Sequence, residues 1–222
     1  MTRAWTDRLK ESATKKHRIF MQKLVPTIDP ETILGVKVPV LRRLANEVSP
    51  DFLRELPHTY FEENMLHVFI LNTLPRSSVF GALEEFFPYL DNWAVVDAID
   101  PQAFYGEHLY MPYFMSLTED ERPFVQRLGI VLAIRHIEED PSYGVRVLKT
   151  VESDHYYVQM ALAWFFAEAV LYSEEAVLNL LRRGELDDEV HRKTIQKIRE
   201  SRRVPERVKE TVYTYRKKRR LP

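Results

Sequence analysis

The sequence predicts an all-α fold, an α-solenoid or superhelix of helical repeats, on three observations. Apolar residues recur at helical spacing along nearly the whole chain, and no segment alternates convincingly as a strand would. Thirteen prolines against six glycines stand where they punctuate helices and do not mark hairpins. Helix pairs recur at an interval of roughly 35 to 40 residues, the range of HEAT-like repeats, without a clean internal consensus. A globular helical bundle is the alternative. In a solenoid each pair buries its face only against its neighbours, so one edge of every pair lines a continuous concave surface fit for a large partner. At 222 residues the chain is long enough to bury a core as a single domain, residues 1–222, with a basic tail from about residue 215.

The elements follow in order. The opening stretch, MTRAWTDRLKESATKKHR, alternates charge with apolar residues and lacks the apolar core and cleavage site of a secretory signal. The chain has no cysteine, which removes disulfides, thiolate metal sites and a cysteine nucleophile together, and fits a reducing compartment. A cytoplasmic protein is expected. PTIDPETILGVKVP, residues 26–39, is the one long irregular stretch between helical blocks. Leu41, Leu44, Ala45 and Val48 mark the next helix, and Val79, Phe80, Leu83, Phe86, Phe87 and Leu90 another. Ser49-Pro50, Thr118 before EDERPF, and Asp140-Pro141 each supply a capping residue or early-turn proline where a helix should open. The apolar run Tyr156–Tyr172 is interrupted by Gln159 and Glu168, and it falls short of the roughly 20 residues that span a bilayer. It reads as a buried helix, with no membrane partner.

Three places break the pattern. In DNWAVVDAID, residues 91–100, Trp93 and Asp97 lie at i and i+4 and share one helical face. Trp93 alone fits a core aromatic. Asp97 interrupts an apolar run where an unpartnered carboxylate would be costly. Asp100, just before Pro101, is expected to cap the next helix. In FVQRLGIVLAIRHI, Arg127 sits among Phe124, Val125, Leu128 and Ile130, and fits either an internal ion pair with Asp97 or Glu168, or an anion contact. Trp164 lies inside the most apolar helix, where core packing explains it. The seven histidines are scattered without metal-ligand spacing, and no nucleotide-binding or nucleophile-elbow motif is present, so neither metal nor cofactor is expected.

Charge is uneven. Residues 191–222 hold thirteen Lys/Arg against three Asp/Glu, a balance of +10, and the remainder carries −11. A basic end fits either a polyanion contact or a solvated charge run.

Taken together, the blocks FMQKLVP to ILGVKVPVLRRLA (Phe20 to Ala45), NWAVVD (Asn92 to Asp97), FVQRLGIVL, YYVQMALAWFFAEAV and HRKTIQKIRES resemble the DNA alkylation repair family, the AlkD-like HEAT-repeat DNA glycosylases. The resemblance covers most of the chain. It implies a basic surface that holds duplex DNA carrying alkylated bases, and excision of N3- or N7-alkylated purines by a monomer without a cofactor, in the bacterial cytosol or nucleoid. Position by position, it implies Asp97 as the catalytic carboxylate, Trp93 and Trp164 as the cleft tryptophans, Arg127 as the neighbouring arginine, and Phe20 where the family has a tyrosine. Arg192, Lys193, Lys197, Arg199, Arg202 and Arg203 are the expected backbone contacts, several on one helical face. The sequence departs from the family in two further ways: only nineteen residues precede Phe20, and Ala167 and Glu168 stand where a basic residue often follows Trp164. The other reading of the chain is a noncatalytic helical-repeat module that binds nucleic acid or protein.

Overall fold

The computed structural model describes residues 2–106 and 110–216; positions 217–222 of the expected basic tail lie outside them. Among the described residues every regular element is helical, with thirteen α-helices, four short 3-10 helices and no strand. The chain is all-α, of the helical-repeat class that the spacing predicts. It divides into two compact units, Met1–His108 and Leu109–Pro222.

Unit 1 carries α1 (Thr2–Ser12), α2 (Lys15–Leu24), α3 (Val38–Ala45), α4 (Phe61–Leu71), α5 (Arg76–Phe86) and α6 (Trp93–Ala98). Its centre is α4, which packs on α3, α5 and α6 and is buried on all sides except at Asn64. The burial reaches even its first-turn acids, Glu62 and Glu63, so each carboxylate needs partners. Glu63 takes the backbone N–H of Thr59 at 2.9 Å and of Tyr60 at 3.0 Å, and the Thr6 hydroxyl at 2.5 Å. Glu62 accepts from the N–H groups of Leu34, Gly35 and Val36 at 2.9, 2.6 and 3.1 Å. Those donors belong to the irregular stretch read from the sequence, which is a loop with one 3-10 turn, Pro30–Thr32, as far as Lys37, after which Val38 and Pro39 already open α3. Gly35 is required there: its φ is +98°, and a Cβ would lie 2.5 Å from the Arg18 nitrogen and 2.6 Å from the Thr14 oxygen.

Unit 2 carries α7 (Met111–Leu117), α8 (Pro123–Arg135), α9 (Pro141–Leu148), α10 (Tyr156–Ala169), α11 (Glu174–Arg183), α12 (Asp188–Glu200) and α13 (Glu206–Thr214). As the apolar run predicts, α10 is a buried helix, and it packs between α8 and α12 with further contacts to α9 and α11. Phe165 and Phe166 are fully buried, each stabilising by about 1.5–3 kcal/mol relative to exposure. The backbones of α7 and α8 meet closely at Gly129, where a Cβ would stand 2.4 Å from the Phe114 carbonyl oxygen.

Two local expectations need correction. Thr118 does not open a helix: it follows α7 as its C-cap, its hydroxyl donating to the Met115 carbonyl at 2.6 Å. The Asp120 carboxylate instead takes the Arg122 N–H at 2.8 Å, and α8 starts at Pro123, whose fixed φ suits a first turn. Asp100 does not cap the next turn either, because Pro101 takes that place and the Asp100 carboxylate accepts from the Tyr105 hydroxyl at 2.8 Å. Asp140 behaves as expected, accepting the Tyr143 N–H at 2.8 Å ahead of Pro141.

Candidate functional site

In unit 1 the site is built on α6, a helix of only six residues. So short a helix has little intrinsic stability and must be fixed by its surroundings. Asn92, itself buried, caps its start, with Oδ1 accepting from the Val95 N–H at 3.0 Å while Nδ2 donates to Asp91 at 2.8 Å. Asn72, directly after α4, fixes its end: Nδ2 donates to the Ala98 carbonyl at 2.8 Å, Oδ1 accepts from the Asp100 N–H at 2.8 Å, and the Asn72 carbonyl accepts from the Gln102 N–H at 3.0 Å. Val95, Val96 and Ile99 face the core, which leaves Trp93, Ala94, Asp97 and Ala98 on the half-exposed side.

Trp93 and Asp97 therefore share a partly open face, as their spacing predicts. The Trp93 indole N–H donates to the Leu24 carbonyl at 3.1 Å. Leu24 closes α2, so this carbonyl is one of those an α-helix cannot satisfy internally. The bond joins α6 to the end of α2, where Phe20 lies one turn before Leu24 on the same face. Phe20 is 55 % exposed, in an apolar strip with Ile19 and Leu24. Unit 1 thus ties the helix that carries Trp93 and Asp97 to the end of the helix that carries Phe20.

Unit 2 holds the remaining candidates. Trp164 is half-exposed on α10, in register with Tyr157 and Glu168. Arg127, on α8, is only 6 % exposed and donates to the Tyr157 carbonyl at 2.6 Å. Of the two ion-pair partners considered for it, Glu168 is held by Arg203 at 2.6 Å. The charge of Arg127 is felt nearby. Burial, and then the Arg127 guanidinium, hold His155 below the usual histidine pKa. Burial also pushes Lys197 of α12 below the usual lysine value; Glu200 opposes this, while Arg127 and Lys193 add to it. Arg127, Lys193 and Lys197 are therefore near enough for their charges to act on Lys197 together, with Glu200 beside Lys197, Glu189 3.9 Å from Lys193, and His155 kept in its neutral form.

The other basic candidates are not equivalent. Arg192 is chelated by Glu189 at 2.5 and 2.9 Å. Arg203 is engaged by Glu168. Arg199 lies over the Tyr213 ring, 4.6 Å from its centroid, and Arg202 is exposed in the α12–α13 connection. Sequence reasoning missed Asn72 and His155. The legible signal for Asn72 was its place at the end of an apolar helix just before Thr-Leu-Pro; His155 gave none. Among the described residues no group of three or more His, Asp or Glu side chains is placed to hold a metal ion, and no helix is long and apolar enough to cross a membrane.

Comparison with known proteins bears on residues 5–203, which match the family model described as DNA alkylation repair enzyme. No individual curated protein matches the chain. The matched span takes in α6 with Trp93 and Asp97, α8 with Arg127, and α10 with Trp164, so it covers most of both units. By that match the chain belongs to the family of DNA alkylation repair enzymes.

Proposed function

We propose that this protein is a DNA glycosylase that hydrolyses the N-glycosidic bond of N3- or N7-alkylated purines in duplex DNA, working as a cytoplasmic monomer without a cofactor. The observation that carries the reading is the shared half-exposed face of α6, which sets an indole and a carboxylate one turn apart on a helix fixed at both ends. The chemistry suits these two groups. An N-alkylated purine already bears positive charge, so its departure neutralises the leaving group and needs no general acid. The deoxyribose becomes oxocarbenium-like as the bond breaks, and the Asp97 carboxylate stabilises that cation and orients the attacking water. The Trp93 ring attracts the cationic nucleoside, an effect of about 0.5–2 kcal/mol depending on desolvation. Trp164 supplies a second indole to the DNA, and Lys193, Lys197 and Arg127 supply charge for phosphates.

The test is release of free 7-methylguanine or 3-methyladenine from alkylated duplex DNA. The parent releases base, and Asp97→Asn lowers the rate by on the order of 10²–10³ while binding undamaged duplex as the parent does. A parent that binds duplex DNA with steep salt dependence yet releases no base overturns the glycosylase reading. One observation favours that second reading, a noncatalytic nucleic-acid-binding module: Glu168, one turn after Trp164, puts a carboxylate and its Arg203 partner where the resemblance implies a basic side chain.

A further inference from the structure

Five arginines between Arg192 and Arg216 fall into two chemical classes. Arg192 and Arg207 hold carboxylates bidentately, Glu189 at 2.5 and 2.9 Å and Glu174 at 2.5 and 2.7 Å, and Arg203 holds Glu168 at 2.6 Å. Arg199 and Arg216 are placed differently. Both lie against one aromatic ring, Tyr213, with guanidinium carbons 4.6 and 4.3 Å from its centroid. Tyr213 is 49 % exposed, on α13.

The difference matters because a guanidinium has two kinds of surface. Its N–H donors lie in the plane and its π face lies across it. A chelated arginine has its donor edge occupied by a carboxylate, and a phosphate must displace that carboxylate to bind. An arginine held over a ring meets the π face with its charge, and no carboxylate has to be displaced when a phosphate arrives. The ring also restricts two long side chains, so less freedom is lost when an anion arrives. Two like charges brought to one ring repel each other, and a polyanion relieves that repulsion. Tyr213 and Arg216 lie beyond residue 203, where the family match ends, while Arg199 lies inside the matched span. The sequence continues from Arg216 with four further cations, Lys217, Lys218, Arg219 and Arg220.

We infer that Arg199, Tyr213 and Arg216 form a second nucleic-acid contact, a lesion-independent grip on the phosphodiester backbone in which Tyr213 positions two guanidiniums for adjacent phosphates. The inference rests on DNA being this protein's polyanion, as proposed above. It predicts that Arg199 and Arg216 each contribute to the salt dependence of binding and that a chelated arginine does not.

The test is affinity of the full chain for unmodified duplex DNA across a salt series, with base release from alkylated duplex measured alongside. The double variant Arg199→Gln/Arg216→Gln lowers the magnitude of the log–log salt slope by about 1.8, since each phosphate left without its cation removes about 0.9. Tyr213→Leu keeps both charges and weakens binding about two- to fivefold with a smaller change of slope. Arg207→Gln, which removes a chelated cation, leaves the slope at the parent value. A double variant with the parent's slope, an Arg207→Gln that lowers it equally, or a Tyr213→Leu that binds as the parent does overturns the inference, as does a parent that binds no duplex. Parent activity with an unchanged slope in the double variant removes this grip and leaves the glycosylase reading standing. A lowered slope with no base release by the parent keeps the grip and removes the glycosylase reading.

Discussion

Acidification below neutrality destabilises the protein through a pair of imidazoles in unit 1. His67, on α4, is 1 % exposed and stacks on Phe86 with ring centroids 4.0 Å apart. Its Nδ1 lies 3.0 Å from His58 Nε2, and its Nε2 has no hydrogen-bond partner. A proton added there puts charge into an apolar site beside a second imidazole, so burial first and His58 second lower the His67 pKa from 6.5 to about 3. His58 is itself depressed by burial, against the pull of Glu63 and Glu55. Because the folded pKa lies below the unfolded one, the unfolded chain takes up the proton first. The stability is fully present above pH 6.5 and is lost as the pH falls towards 3. The whole shift is worth about 5 kcal/mol, of which about 2 kcal/mol is gone by pH 5. Urea unfolding at pH 8 and pH 5 measures the loss, and His67→Leu isolates it. The variant starts less stable at pH 8, without the stack and the hydrogen bond, yet between the two pH values it loses about 2 kcal/mol less than the parent. Equal losses in parent and variant would refute the assignment.

Two further outcomes follow from the hydrogen bonds around the site. Glu62→Gln turns an amide N–H₂ towards some of the three backbone donors now held by a carboxylate, so unfolding free energy should fall by about 3 kcal/mol, and a variant within 1 kcal/mol of the parent in chemical denaturation contradicts the role given to Glu62. Asn72→Ala frees the C-terminal end of α6 and should lower base release at least tenfold while leaving affinity for undamaged duplex unchanged; a variant that keeps the parent's rate shows that α6 is held by other means.

Much of the architecture was legible because it is written in periodicity. The predominantly apolar character of Tyr156–Ala169 announced a buried helix, and α10 is one. The Trp93–Asp97 spacing announced a common face, and α6 provides it. Thr118 and Asp100 misled for one reason: a capping side chain has competing local partners, and the Met115 carbonyl and the Tyr105 hydroxyl won. Glu62 was illegible because a first-turn acid usually faces water; only the loop Leu34–Val36, brought from 28 residues upstream, makes it a core residue. The stacking of Arg199 and Arg216 on Tyr213 was equally hidden, since a charge count treats chelated and stacked guanidiniums alike.

The bond from the Trp93 indole to the Leu24 carbonyl restricts what that tryptophan can sense. Indole has a single donor and no acceptor. With that donor engaged, the ring has no vocabulary of hydrogen bonds left for telling one base edge from another. In the role proposed for Trp93, the ring answers only to flatness, polarisability and positive charge, so a base is sorted there by its electron deficiency and not by the letter it carries.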